Sequence, residues 1–310
     1  MEDRIIEPVE IDKIIAELTP DKFLRHTNRG GNEIFVVDAF NSPNVMREVG
    51  RLREMTFRAA GGGTGKECDI DEFDTMDVPC RQMIVWNPEE RMILGGYRFI
   101  LGKDMTIKDG APNIATAHMF NFSDEFIRDY LPYTIELGRS FVRVEYQSSK
   151  AGARAIFALD NLWDGLGALT VENPEIKYLF GKMTMYPSYN TSARDMLLYF
   201  LNHYFPDNDN LVTPKEPLKT LTPPDDMQRI FSGDDFKKDF KILNAAIRET
   251  GFSIPPLINA YMSLSPTMKL FGTGINHEFG EVEETGILIS ISDIFEEKKK
   301  RHIESYHHIE

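Results

Sequence analysis

Apolar residues recur first at helical and then at strand spacing along this chain. Ile5, Ile6, Val9, Ile11, Ile14, Ile15 and Leu18 precede Thr19-Pro20, so residues 1 to about 32 predict a helical lead-in. The turn signal Arg29-Gly30-Gly31-Asn32 leads to a first strand over residues 33–39 (EIFVVDA). Ser42-Pro43 offers a hydroxyl N-cap followed by a proline at the first helical position. Val45, Val49, Leu52, Thr56 and Phe57 follow at helical spacing until Gly61-Gly62-Gly63. A hairpin is predicted from residues 82–86 and 92–101 around Asn87-Pro88-Glu89-Glu90. Gly95-Gly96 inside its second strand predicts a bulge or a close backbone approach.

The second half continues the alternation. Residues 140–146 (SFVRVEY) predict a strand, 154–169 a helix and 178–186 another strand. Ser192 and Asp195 suggest a loose capping pair for a helix carrying Met196, Leu197, Phe200, Leu201 and Tyr204 on one face. Residues 206–235 are rich in Pro, Asp and Asn and predict an insertion at the surface. Helices follow at 234–249 and from Pro255-Pro256 to Met262, then strands at 268–272 and 286–291. Residues 296–310 form a charged tail that predicts a fraying helix. The order predicts an α/β protein with a mixed sheet and helices on its faces. A helical N-terminal extension (1–35) would precede one domain (36–295) and the charged C-terminal tail (296–310).

Composition narrows the function classes. The chain has 310 residues, 42% apolar and 27% charged, which suits a folded protein with a real core. Thirty-five basic against 49 acidic residues leave a net charge of −14, the wrong sign for nucleic acid or general adsorption to anionic lipid. No apolar run approaches the ~20 residues of a membrane span. Acids stand where a leader needs basic residues, so a cytoplasmic protein is expected. Cys68 and Cys80 are too few for a disulfide framework and are expected to be free thiols. No set of side chains has metal-ligand spacing, and no metal is expected.

Three local patterns could carry chemistry. The strand, loop and helix over residues 140–169 would end in unpaired N–H donors at a helix start, which hold phosphate. Arg143, Lys150 and Arg154 add positive charge there, and Gly152 lies in the loop. The alternative is an ordinary strand-to-helix turn. The acidic loop Asp69-Ile70-Asp71-Glu72-Phe73-Asp74 concentrates carboxylates that want a cation, or is simply a solvated loop. Glu136-Leu137-Gly138-Arg139, just before the predicted strand, offers a carboxylate that could deprotonate an amine, or a structural ion pair.

The patterns together are more specific than any one alone. Arg53-x-x-x-Phe57, Asp71-x-x-Asp74, Gly96-Tyr97-Arg98 and Glu136-Leu137-Gly138-Arg139-Ser140 resemble the acyl-carrier-protein-dependent N-acyltransferases, which include the acyl-homoserine-lactone synthases. Leu162-Trp163-x-Gly165-Leu166, Tyr178-Leu179-Phe180-Gly181, Pro255-Pro256-Leu257-Ile258-x-x-Tyr261 and Gly286-Ile287-Leu288-Ile289 look like the ornithine-lipid and glycine-lipid branch, often labelled "hemolysin-like". The resemblance spans residues 36–292.

It implies an acetyltransferase (GNAT-like) fold with a mostly antiparallel twisted sheet flanked by helices. The implied activity moves a long, sometimes 3-hydroxylated, acyl chain to the α-amine of a small amino acid of glycine or ornithine type. The donor would be acyl carrier protein, with acyl-CoA as the other candidate, and no bound cofactor. Glu136 would be the base, with Asp71 and Asp74 shaping the amine side or holding Arg98 and Arg139. Arg53 and Phe57 would lie near the donor, whose phosphopantetheine arm would meet Phe141, Val142, Arg143, Lys150, Gly152 and Arg154. Partners would be acyl carrier protein, the amino acid and peripherally the inner membrane, with no nucleic acid. A CoA-dependent acetyltransferase and a non-catalytic membrane-binding protein are the contrasting readings.

Overall fold

The computed structural model describes residues 2–147 and 153–307, without the side chains of residues 153–156 and 224. Its main sheet has eight strands: β1 (Phe23–His26), β2 (Glu33–Val37), β3 (Arg81–Asn87), β4 (Met92–Leu101), β8 (Thr134–Val142), β9 (Tyr178–Met185), β11 (Lys269–Asn276) and β12 (Val282–Ser290). Two short ribbons pair β5 (Ile107–Lys108) with β6 (Ala111–Pro112), and β7 (Phe120–Phe122) with β10 (Val212–Pro214). The main order is β1-β2-β3-β4-β8-β9-β12-β11, with every neighbouring pair antiparallel except β8 and β9. This is the mixed, mostly antiparallel sheet that the alternation and the resemblance predict.

The helices are α1 (Ile11–Glu17), α2 (Pro43–Ala60), α3 (Glu72–Thr75), α4 (Ala153–Glu172), α5 (Thr191–Tyr204), α6 (Pro224–Ile230), α7 (Phe236–Glu249), α8 (Pro256–Met262) and α9 (Glu296–His302). Outside the bulges, strand residues alternate between the two faces of the sheet. Ile34, Met83, Val85, Phe99, Leu179 and Ile287 pack towards α4, α5, α7 and α8. Phe35, Ile84 and Trp86 pack under α2, while Ile100, Phe180 and Leu288 pack under the β7–β10 ribbon.

Three expectations need correction. The lead-in is not one helix: α1 is two turns long, and Phe23–His26 forms an edge strand antiparallel to β2. The insertion at 206–235 contains β10 and α6 and buries Leu211, Val212, Met227 and Phe231. The tail does not fray over α9, because His302 Nδ1 meets Asp164 Oδ1 at 2.8 Å and both are buried. Caps differ as well. Asn190, not Ser192, accepts the Ala193 N–H at the start of α5. Ser42 makes no capping bond; the Glu17 carboxylate accepts from the N–H groups of Asn44 and Val45, so α1 caps α2.

Two features shape the centre of the sheet. The parallel β8–β9 pairing runs from Thr134↔Tyr178 to Leu137↔Gly181, and no later pair is formed although both strands continue. The strands therefore splay beyond Leu137 and Gly181. On its other edge β8 bulges: Gly96 pairs with Phe141 and Arg98 with Gly138, so two steps on β4 face three on β8. The bulge holds Arg139 at φ +48°, in the left-handed region rarely used by non-glycine residues. Gly95 is needed beside it, since a Cβ there would lie 2.5 Å from the Phe141 carbonyl oxygen.

Candidate active site

A cavity of about 950 Å³ occupies the splay. Its walls come from both faces of the sheet. On the α4 face it is apolar, lined by Trp163, Leu166, Leu179, Ile287 and Ile289. On the α2 face it is polar, lined by Arg98, Thr116, Glu136, Arg139, Lys182 and Glu284. Strand alternation explains the division. Ile135 and Leu179 point to one core, so Glu136 and Lys182 point to the other side.

Glu136 sits within β8, which begins six residues before the predicted strand. It is buried, and its Oε1 accepts from Thr116 N–H at 3.1 Å and Thr116 Oγ1–H at 2.5 Å. No cation pairs with it among the described residues. That leaves a carboxylate on the cavity wall with room to accept a further donor.

The other expected acids lie behind this wall. Asp71 caps α3 through the Phe73 and Asp74 N–H groups. Arg98 donates to Asp71 at 2.6 Å and to Asp74 at 3.3 Å. Arg139 pairs with Asp69 at 2.9 Å and Asp71 at 3.6 Å, and its guanidinium lies 4.3 Å from the Phe279 ring centre. Burial pushes the Asp71 carboxyl up, but Arg98 and Arg139 outweigh it and hold it well below the usual carboxylate range. Asp71 and Asp74 are thus not on the cavity wall and touch no substrate space; they hold the two arginines that are.

Arg53 is fully buried and does not reach the cavity, contrary to its expected place near the donor. It donates to Asp74 at 3.1 Å and Gln82 at 2.6 Å, tying α2 to α3 and β3. The fourth residue on, Phe57, lies one helical turn further and does line the cavity, against Phe279. Phe141 and Val142 line it too. Arg143 does not; its guanidinium turns to Glu145. Lys150 and Gly152 lie outside the described residues, as does the side chain of Arg154, so the expected phosphate-binding loop lies outside the description as well.

Sequence reasoning missed Thr116, Lys182 and Glu284. The signal was present in the strands: a lysine in YLFGKMTM and acids in VEETGILIS are charges inside otherwise apolar runs. Lys182 Nζ meets Glu284 at 2.6 Å, and Asn276 donates to the same carboxylate at 3.0 Å. Burial raises the Glu284 carboxyl, yet Lys182 first, with Asn276 and Arg139, outweighs this and leaves it below its ordinary value. Tyr97 and Tyr261 hydroxyls lie 3.3 Å apart in the cavity wall, and burial pushes both phenols up. Burial likewise pushes the Cys68 and Cys80 thiols up to about 11 and about 12, so neither offers a thiolate at neutral pH.

Comparisons with known proteins bear on the family. Residues 52–156 match the acetyltransferase (GNAT) domain family. A glycine N(alpha)-acyltransferase of Phocaeicola vulgatus is 59% identical over 305 residues, covering 98% of this chain and 94% of that protein. One of Bacteroides thetaiotaomicron is 60% identical over 305 residues, covering 98% and 90%. A solved CoA-dependent acyl-homoserine lactone synthase, BjaI, with MTA, is 11% identical over 89% of each chain, with a TM-score of 0.36. At about 60% identity along nearly the whole length, this chain belongs to the glycine N(alpha)-acyltransferase family and is an amide-forming acyltransferase with a GNAT domain.

Proposed function

We propose that this acyltransferase moves a long acyl chain from the phosphopantetheine thioester of acyl carrier protein to the α-amine of glycine, giving an N-acylglycine that serves as a lipid precursor. The observation that carries the reading is a cavity crossing the sheet, with Glu136 at its polar side and an apolar reach on the other. An acetyl group would leave most of the 950 Å³ empty, whereas an extended acyl chain suits the apolar half. The names of the relatives support glycine as the acceptor.

Charge on the polar side suits an incoming ammonium. Arg53, Arg98 and Arg139 are balanced by Asp69, Asp71 and Asp74, and Lys182 by Glu284. Glu136 is left as the unbalanced carboxylate. It takes a proton from the ammonium, and the free amine attacks the thioester carbonyl. The C–N bond forms, the C–S bond breaks, the second proton lost by the nitrogen goes to the departing thiolate, and Glu136 passes the first to solvent. Main-chain N–H groups just beyond the last β8–β9 pair are the donors for the oxyanion. The product is amphipathic, so peripheral attachment to the inner membrane belongs to this proposal. No described helix is long and apolar enough to cross a membrane.

The test compares acyl carrier protein and CoA thioesters of one long chain with glycine or ornithine, reading products by mass spectrometry. N-acylglycine, formed fastest from the carrier protein, is expected. Turnover of acetyl-CoA without long-chain product overturns the reading. Glu136→Gln should lower kcat by about 10²–10⁴-fold. Activity within twofold of wild type would remove Glu136 from the mechanism.

A further inference from the structure

We propose that Lys182 binds the carboxylate of the acceptor amino acid while Glu284 holds the lysine in place. The proposal rests on the reading of function above and concerns how the acceptor is chosen. An amino acid brings two charges a short distance apart, so its site needs a carboxylate and a cation at matching separation. Glu136 supplies the first. Glu136 pairs across the parallel strands with Phe180, and Lys182 is two residues further along β9 on the same face. With strands ~4.8 Å apart and a rise of ~3.3 Å per residue, their Cα atoms lie roughly 8 Å apart, and more as the strands splay. Both side chains line the same cavity, so the two ends of one small amino acid can meet them together.

The competing cations on this wall are less free. Arg98 is bound by Asp71 and Asp74, and Arg139 by Asp69 and Asp71. Lys182 has one carboxylate partner, Glu284, at 2.6 Å, which leaves further N–H donors of its ammonium for a bound carboxylate. Its rotatable ammonium can serve two carboxylates at once, so Glu284 keeps its cation, whereas each guanidinium is already held at two points. The side chain is 12% exposed and lies on the cavity wall, so it can reach a bound molecule without crossing bulk solvent.

The experiment measures kcat/KM for glycine against glycinamide, which keeps the amine and lacks the carboxylate, with one long-chain carrier-protein thioester as donor. Wild type should favour glycine at least tenfold. In Lys182→Met the ratio should fall by tenfold or more, mainly through KM for glycine, and Lys182→Arg should restore part of it. Because Lys182→Met leaves Glu284 buried without its cation, the double variant Lys182→Met/Glu284→Gln is measured beside it, with thermal melting to show that it folds. Discrimination kept in a folded double variant overturns the clamp and leaves glycine acylation standing. Wild-type enzyme that acylates no amino acid overturns the functional reading and the clamp together.

Discussion

At the scale of single residues, the site depends on charges that neutralise one another. Breaking a buried ion pair strands the surviving charge and costs about 3–5 kcal/mol. Asp71 touches both wall arginines. Its folded carboxyl lies below the unfolded value of 3.8, so its contribution is complete above that value and disappears as pH falls through the folded one. Asp71→Asn should therefore lose about 3 kcal/mol at pH 7 and show a shallower decline of stability below about pH 4 than wild type. Urea unfolding at a series of pH values measures both. Parallel acid limbs in the two proteins would mean that another group governs the decline.

Among elements, the clearest segments in the sequence were those whose pattern is local. The hairpin β3–β4, strands β9 and β12, and helices α2, α4, α7 and α8 follow from periodicity and punctuation within their own windows. β1 did not, because four residues at a sheet edge carry little alternation. β8 began earlier than expected because Glu136, Gly138 and Arg139, which line the cavity, interrupt its apolar pattern. α9 looked like a free tail because its anchor, Asp164, lies 138 residues away. Gly167 makes that docking fit: a Cβ there would lie 2.0 Å from the His302 carbonyl oxygen. Gly167→Ala should cost about 1–3 kcal/mol and loosen α9 from α4. Hydrogen exchange would show faster amides over residues 296–302 while β8 and β9 stay protected. Unchanged protection of α9 would mean that the backbone absorbs the methyl group.

On the scale of the whole molecule, Phe57, Arg98, Glu136 and Arg139 of the motif series line the cavity, as do Phe141 and Val142 beyond it. Thr116, Lys182 and Glu284 were not legible together because crossover topology, not sequence distance, places β8 beside β9 and β9 beside β12. A gap in a sheet also differs from a pit on its surface. Two reactants can meet in it from opposite sides, and neither must leave before the other enters. With no thiolate at hand to carry the acyl group, transfer should be direct, through a ternary complex. Initial-rate lines at varied glycine and fixed donor concentrations should then intersect; parallel lines would reveal a covalent relay. The parting of two strands, a local failure of hydrogen bonding, would then be what lets both substrates be present at once.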